Sequence, residues 1–224
     1  MTPARVACVI PALDAASTLP AVIAGVRAAV PGALLIGVDD GSRDATREML
    51  GRGCDRVIAF DRNRGKGSAL RAGFALALEL RYEAVLTVDA DGQHDPRCSG
   101  ALLAALDRAD VVIGARQRTG SRMPIHRRVS NAVSSAAISW AAGCRIPDSQ
   151  SGFRAIRADV LYQVKPMGER YEFETELVIL AARAGFRLAA VPIPTIYGGV
   201  SHFRPVRDSR LVLRSIWRHR RGAT

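Results

Sequence analysis

The sequence predicts one α/β domain built on a central, mostly parallel β-sheet flanked by helices. Short apolar runs alternate with longer helical patterns through roughly the first half of the chain, which is typical of a parallel sheet. The length of 224 residues suits a single domain with a full hydrophobic core. Turn or acidic residues follow three of the apolar runs directly. Because the carboxyl ends of parallel strands share one edge, where ligands bind, these residues are expected to converge there.

The predicted strands are short, rich in apolar residues and bounded by turn residues. In chain order they cover residues 5–10, 34–38, 57–60, 85–88, 110–114 and 187–194. The first is predicted to stop at Pro11.

The predicted helices begin at recognisable start signals. Ser17 and Thr18 offer an N-cap, and Pro20 suits the first turn of a helix that runs to about Val30. Further helices are predicted from about residue 44, through the alanine-rich stretch from 68 to about 81, from 96, and from 171 to about 184. The stretch 148–154 is predicted to be a turn-rich joint before a short helix.

The amino-acid composition indicates which kinds of binding partner to expect. The net charge of +11 implies anionic partners, which include nucleic acid, a membrane surface and phosphorylated substrates. Aromatic residues make up only 5%, which argues against single-strand binding by base stacking. The four cysteines are scattered without a Cys-x-x-Cys pair, so neither a zinc site nor a disulfide framework is indicated. We expect a cytoplasmic protein without a signal peptide or membrane span.

Two aspartates after the fourth predicted strand are the first candidate site. Asp89 and Asp91 are two residues apart on extended backbone, so their carboxylates point the same way. Oxygen ligands of this kind suit Mg²⁺ or Mn²⁺, which usually takes one or two carboxylates and completes its shell with substrate phosphates. Gln93 offers a further oxygen. The competing interpretation is a polar turn followed by a helix N-cap.

Other residues are expected at the same edge. Pro11 follows the first strand and Asp39 and Asp40 follow the second. Lys66 lies between two glycines just before the alanine-rich helix, where a structural role is equally compatible with the pattern. This convergence is stronger evidence for a site than any one motif.

A basic segment follows the fifth predicted strand. No acidic residue occurs from Val111 to Pro147, whereas six arginines do: Arg116, Arg118, Arg122, Arg127, Arg128 and Arg145. A solvated basic face is one interpretation; a phosphate-binding surface is the other, because guanidinium groups bind phosphate in a bidentate manner. A last predicted helix, residues 206–221, places arginines on one side and apolar residues on another. It could pack on its own domain or rest on anionic lipid.

Taken together and in order, seven motifs resemble a known family. They are Ile10–Ala12, Asp39–Ser42, Asn63–Gly67, Asp89–Pro96, Gly114–Arg116, Asp148–Phe153 and the loop Tyr197–Arg204. The set resembles the family 2 inverting glycosyltransferases of GT-A (Rossmann-like) fold, and within them the dolichol-phosphate mannosyltransferase-like or polyprenyl-phosphate sugar synthases. One departure stands out: the family usually continues Pro-x-Tyr-Asn-Glu, whereas this chain has Pro11-Ala12-Leu13-Asp14-Ala15.

The resemblance implies a role for each matched residue. The nucleotide sugar would be held by Pro11, Ala12, Asp14, Asp39, Asp40, Lys66, Asp89, Ala90, Asp91, Gln93, Ser201 and His202, with Asp14 compensating in part for the missing aromatic and glutamate. Asp89, Asp91 and Gln93 would hold Mn²⁺ or Mg²⁺, and Asp91, Arg116 and Arg204 would act in catalysis. The acceptor would be bound by Arg116, Arg127, Asn131 and Asp148. The resemblance thus divides the chain into a nucleotide-sugar half (about 1–115), an acceptor half (about 116–205) and a basic amphipathic helix (about 206–221).

The implied reaction moves a sugar from GDP-mannose or a UDP-hexose to a polyprenyl or dolichyl phosphate, with inversion. A metal would neutralise the departing diphosphate as a Lewis acid. A lipid phosphate is already an anion and needs only positioning, whereas a hydroxyl acceptor needs a base, for which Asp148, Glu172 and Glu174 are the candidates. The expected location is the cytoplasmic face of the membrane, by peripheral contact and with a possible membrane-protein partner. A sugar nucleotidyltransferase is the rival enzyme class, although residues 11–14 lack its glycine-rich loop. Binding to nucleic acid is not expected, because the aspartate pairs would repel phosphates unless a metal intervened.

Overall fold

The computed structural model describes residues 5–116, 135–136, 138–146, 148–194 and 196. Its strands are β1 (Val6–Ala12), β2 (Leu34–Asp39), β3 (Arg56–Ala59), β4 (Ala84–Thr87), β5 (Val111–Arg116), β6 (Arg154–Arg157) and β7 (Leu188–Ile193). Its helices are α1 (Leu19–Ala29), α2 (Thr46–Gly53), α3 (Lys66–Glu79), α4 (Ser99–Ala105), α5 (Ala158–Gln163) and α6 (Glu172–Arg183), and a 3-10 turn over Pro96–Cys98 precedes α4.

The described strands form one seven-stranded sheet in the order β3-β2-β1-β4-β6-β5-β7. All pairs are parallel except those of β6, which runs antiparallel between β4 and β5. The predicted single α/β domain with a mostly parallel sheet is confirmed. The strand order also mixes the two expected halves of the chain, since β6 is hydrogen-bonded to β4 at the centre of the sheet.

Buried side chains cover both faces of the sheet. Along β1, Ala7 and Val9 belong to one apolar cluster and Cys8 and Ile10 to the other. The alternation follows from the two-residue period of a strand. A strand buried on both faces must be apolar throughout, which explains why β1 appears in the sequence as an unbroken apolar run.

Two local predictions were wrong. The short helix predicted directly after the turn-rich joint 148–154 is preceded by a strand that was not predicted, β6, which begins at Arg154. Strand β1 continues through Pro11, which lies opposite Val38 of β2; since β4 pairs with β1 only as far as Val9, a residue without an N–H is tolerated here. Thr18 occupies the N-cap position of α1, as predicted, although its side chain makes no capping bond. Its hydroxyl donates instead to the Ala90 carbonyl at 2.6 Å, so it ties α1 to the loop after β4.

Within the described residues, no helix combines the length and the apolar character needed to cross a membrane.

Candidate active site

A buried ion-pair cluster lies at the carboxyl end of β4. The Lys66 ammonium is 2.7 Å from Oδ1 of Asp89 and 3.0 Å from Oε2 of Glu174. The lysine side chain is only 16% exposed. Lys66 is the first residue of α3 and Glu174 lies in the first turn of α6, so the cluster joins the consecutive elements α3 and β4 to a helix that lies much later in the sequence.

The glycines on either side of Lys66 explain this approach. A Cβ on Gly65 would lie 2.4 Å from the Glu169 carbonyl oxygen, and one on Gly67 would lie 2.6 Å from the Phe173 Cβ. Gly65 also has a φ of +100°, which L residues rarely adopt. Side chains at these positions would hold α3 and α6 apart, so the Gly-Lys-Gly pattern lets the ammonium reach the carboxylate of Glu174.

Two further residues fix the Asp89 carboxylate. Nε2 of His94 lies 3.6 Å from Oδ2 of Asp89, and the His94 ring stacks on Phe153 with centroids 5.5 Å apart. On another side, a Cβ on Gly152 would come within 2.2 Å of Oδ2 of Asp89, so only glycine fits there. The Gly152 carbonyl accepts a hydrogen bond from the Thr87 hydroxyl at 2.7 Å, which holds the glycine against the aspartate.

The electrostatics of the cluster follow from these distances. Burial opposes the charge of Asp89, but Lys66 and His94 overcome it and hold the pKa of Asp89 well below its usual range. Burial also disfavours the charged Lys66, yet the charges of Asp89 and Glu174 raise its pKa above the ordinary value. Both groups are therefore ionised at neutral pH, as a close pair favours.

Asp91 differs from its neighbour. Its Oδ1 accepts a hydrogen bond from the Gln93 amide at 3.0 Å, and within the described part of the chain it forms no ion pair. Burial, and next the negative charge of Asp89, raise the pKa of Asp91. A partly buried carboxylate beside a charged one is the environment that a cation would relieve.

The charges of the residues around Asp91 also favour a bound cation. We define the rim cluster as the carboxylates Asp89, Asp91, Asp148 and Glu174 with the cations Lys66, Arg116 and Arg154. These seven described residues carry four formal negative and three formal positive charges. No group of three or more His, Cys, Asp or Glu residues with metal-binding geometry occurs among the described residues. One or two carboxylates with diphosphate oxygens suffice for Mg²⁺, so the residues present fit a cation held at Asp91.

The aspartates after β2 have other partners. Oδ1 of Asp39 accepts from the Ser42 amide at 3.0 Å, and its Oδ2 lies 3.0 Å from Nε of Arg47. Oδ1 of Asp40 accepts from the amides of Arg64 and Gly65 at 2.7 and 3.1 Å. Both carboxylates are thus engaged in holding the loops that follow β2 and β3.

The last residues of β1 and the loop that follows it also lie at this edge. Pro11 and Ala12 are buried, and Ala12 lies opposite Asp39 in the sheet. Asp14 adopts a positive φ of 47°, and its Oδ1 accepts from the Arg43 amide at 2.8 Å. The first two loops of the sheet edge are thereby joined, as the predicted convergence requires.

Arg116 and Asp148, both expected near the acceptor, contact each other. Nε and Nη2 of Arg116 bind the two carboxylate oxygens of Asp148 at 2.8 and 3.0 Å. This bidentate pair fixes the guanidinium plane. The arginine side chain is 18% exposed, so part of it remains accessible to a ligand.

Arg154 is a residue whose role the sequence did not indicate. It is 1% exposed and donates to the carbonyls of Ser151, Glu174 and Ser149 at 2.8, 2.6 and 2.9 Å. Burial lowers its pKa, an effect opposed first by Glu174 and then by Asp89 and Asp148. Arg154 therefore joins the loop 148–152 to the start of α6 and supplies one of the positive charges of the rim cluster.

The three candidate bases all have contacts of their own. Asp148 pairs with Arg116 and Glu174 pairs with Lys66. Oε1 of Glu172 accepts from the amides of Glu169 and Arg170 at 3.2 and 3.4 Å. Five predicted site residues lie outside the described residues: Arg127, Asn131, Ser201, His202 and Arg204.

Comparison with known proteins finds relatives that match most of the chain. Residues 7–165 match the model of glycosyl transferase family 2. The undecaprenyl-phosphate mannosyltransferase of Micrococcus luteus is 33% identical over 208 residues, covering 84% of this chain and 82% of that protein. The polyprenol monophosphomannose synthase of Mycolicibacterium smegmatis is 32% identical over 202 residues, covering 84% and 76%.

Solved structures support the fold. The glucosyl-3-phosphoglycerate synthase of Mycobacterium tuberculosis, in a crystal with Mn²⁺, uridine diphosphate and phosphoglyceric acid, has a TM-score of 0.74 and 24% identity, covering 96% of this chain and 78% of that one. At this identity the likeness concerns the fold alone.

Proposed function

The chain belongs to glycosyl transferase family 2, and on that premise we propose that this glycosyltransferase moves a hexose from a nucleoside-diphosphate sugar to a polyprenyl phosphate. The predicted resemblance and enzyme class are confirmed by the same comparisons. GDP-mannose and UDP-hexoses are the candidate donors. The rival classes, a sugar nucleotidyltransferase and a nucleic-acid-binding protein, lose their support with the family assignment.

One observation carries the donor side of the proposal. Asp89 is ion-paired while Asp91, two residues on, has a raised pKa and no described ion pair. The rim cluster thus offers a cation a charged oxygen at the sheet edge where GT-A ligands are expected. The similar glucosyl-3-phosphoglycerate synthase crystallised with Mn²⁺ and uridine diphosphate, which supports the choice of Mn²⁺ or Mg²⁺.

The acceptor is proposed from the relatives and from charge. Two relatives are named for transfer of mannose to undecaprenyl phosphate or a polyprenol phosphate. The acid-free stretch 111–147 carries six arginines, and guanidinium groups recognise phosphate. A phosphate acceptor also needs no base, which is compatible with Asp148 and Glu174 being held in ion pairs.

The described residues would have separate roles in this proposed reaction. A bound divalent cation would supply Lewis-acid stabilisation of the departing diphosphate. Asp91 would hold that cation, with Asp89 adding negative charge beside it, and Gln93 would fix Asp91 through its backbone amide. Arg116, oriented by Asp148, would attract the acceptor phosphate to the opposite side of the anomeric carbon. A single displacement in this arrangement inverts the anomeric centre.

A transfer assay tests the proposal. The purified chain would be incubated with radiolabelled GDP-mannose, UDP-glucose or UDP-N-acetylglucosamine, a short polyprenyl phosphate and Mn²⁺ or Mg²⁺. We expect one donor to label the lipid, and EDTA to abolish the labelling. The unphosphorylated polyprenol is the matched control. Labelling of the alcohol or of a glycan acceptor, but not of the lipid phosphate, would refute the acceptor class; labelling that persists in EDTA would refute the cation.

The site of action is proposed from the acceptor. A polyprenyl phosphate is anchored in lipid, so we propose that the enzyme works at the cytoplasmic face of the membrane through peripheral contact. The basic helix predicted for residues 206–221 is the candidate contact and lies outside the described residues. A membrane-protein partner remains a prediction. Flotation with anionic liposomes at low salt should carry the protein upward, whereas neutral liposomes should not.

A further inference from the structure

The Lys66 ammonium lies beside the predicted cation site and bears a positive charge of its own. It is 2.7 Å from Asp89, the partner of Asp91 in the predicted cation site. If that ammonium acted on Asp89 and Asp91 alone, one positive charge would already balance half of the negative charge there. Affinity for a divalent cation depends on the number of charged ligands, so the position of this lysine bears directly on cation binding.

Glu174 changes that balance. Its Oε2 lies 3.0 Å from the same ammonium, and it is 7% exposed. It makes no described contact with Asp89 or Asp91, so it acts on them only through Lys66 and through its charge. The Glu174 main chain is held separately, because its carbonyl accepts from Nη1 of Arg154 at 2.6 Å.

We propose that Glu174 is a positioning residue that shares the Lys66 ammonium with Asp89 and thereby preserves the negative charge that holds the divalent cation at Asp91. This inference rests on the proposed function, since it assigns a role within the same site. Lys66 is then a built-in counter-ion that fixes Asp89 and lowers cation affinity, and Glu174 offsets it. The two residues should therefore affect cation binding in opposite directions.

The opposite signs make the proposal testable. Glu174→Gln keeps the shape of the side chain and removes its charge, so Mn²⁺ affinity should fall about tenfold or more. Lys66→Met removes the competing positive charge, so Mn²⁺ affinity should rise. Mere damage to the site would weaken binding in both variants. The readouts are the Mn²⁺ electron paramagnetic resonance signal and the unfolding temperature, with Mn²⁺ titrated at fixed GDP or UDP.

Two further variants separate the proposed charge effect from misfolding and from a general loss of stability. Lys66→Met leaves buried carboxylates without their counter-ion and could fail to fold, whereas Lys66→Met with Glu174→Gln removes one charge of each sign. The double variant should regain the affinity lost in Glu174→Gln, because coupled residues are not additive. Glu176→Gln is the matched control: Glu176 lies on the same helix, and its Oε2 accepts from the amides of Met167 and Gly168 at 2.8 Å each. It should cost stability without a comparable loss of Mn²⁺ affinity.

The outcomes separate this inference from the proposed function. A wild-type protein that shows no cation-dependent nucleotide binding overturns both. A wild-type protein that binds Mn²⁺, with unchanged affinity in Glu174→Gln, overturns only the role of Glu174. The same follows if Glu176→Gln weakens binding equally, or if the double variant binds no better than Glu174→Gln.

Discussion

The aspartate pairs Asp39–Asp40 and Asp89–Asp91 look alike in the sequence, since each follows an apolar strand and precedes a glycine-containing turn. In the structure, the two pairs differ in the groups that bind their carboxylate oxygens. Asp39 and Asp40 bind backbone amides and Arg47, so they stabilise loops. Asp89 is paired with Lys66, whereas Asp91 forms no ion pair among the described residues, and burial and the charge of Asp89 raise its pKa. A carboxylate is available for a ligand only where its oxygens are not already paired with groups of the protein.

Asp91→Asn should have the largest effect of these variants. It should reduce activity without reducing stability. We expect transfer to drop by on the order of 10²–10³, because the diphosphate loses its electrostatic support. The raised pKa of Asp91 means that ionisation destabilises the fold as pH rises above the unfolded-state value. The cation-free variant should therefore be as stable as the wild type or more so at pH 7, as thermal unfolding would show. Near-normal turnover in this variant would remove Asp91 from the site.

Asp40→Ala should show the reverse pattern. Its removal leaves the amides of Arg64 and Gly65 without an acceptor, which costs about 2–3 kcal/mol of unfolding free energy. Asp40→Asn is the intermediate variant: its amide oxygen can still accept from the Arg64 amide, but Oδ2, which accepts from the Gly65 amide at 2.9 Å, is replaced by an NH₂ group. Denaturant unfolding should rank the wild type above Asn and Asn above Ala. If both variants lost cation-dependent nucleotide binding while staying as stable as the wild type, the two aspartate pairs would not differ in role.

Gly152→Ala tests the packing behind Asp89. The new Cβ would approach the carboxylate to 2.2 Å, so either Asp89 or the loop must move. We expect a stability loss of about 1–3 kcal/mol, the usual cost of overpacking, together with weaker cation-dependent nucleotide binding. Gly100→Ala is the control, because nothing lies within 4 Å of a Cβ there. A Gly152→Ala protein with unchanged stability and binding would show that the position of Asp89 does not depend on the close approach of Gly152.

Asp55→Asn provides the smallest effect and a reference carboxylate away from the site. Asp55 binds Nη2 of Arg27 and the Leu35 amide at 2.8 Å each, and these contacts lower its pKa. A depressed folded-state pKa contributes stability above the unfolded value, about 3.9, that is lost as pH falls through the folded value. The side chain is 35% exposed, so solvent screening limits the effect to about 1 kcal/mol or less. Unfolding at pH 7 and pH 3 should show a larger difference from wild type at pH 7 than at pH 3.

Local patterns in the sequence predicted most of the sheet. The strands β1, β2, β4 and β5 are apolar runs because both of their faces are buried, and that property is visible in the chain itself. Strand β6 was missed because its four residues begin and end with arginine. Its strand conformation depends on pairing with β4 and β5, which are distant in the sequence.

The shared sheet edge of the candidate residues could be predicted from the sequence, but their contacts with one another could not. The convergence of Pro11, Asp39 and Asp89 follows from parallel topology. The contact of Lys66 with Glu174 spans more than a hundred residues, and no spacing rule indicates it. Arg154 was missed for another reason: arginine is rarely buried, and here its charge is accommodated by three backbone carbonyls.

The most direct test of the account is where a cation binds. Crystals of the protein grown with Mn²⁺ and GDP or UDP would locate the ion by its anomalous scattering. We predict an ion in direct contact with a carboxylate oxygen of Asp91 and with the diphosphate, while Lys66 remains against Asp89. An ion bound between Asp39 and Asp40, or nucleotide density away from the β4 edge, would contradict the account.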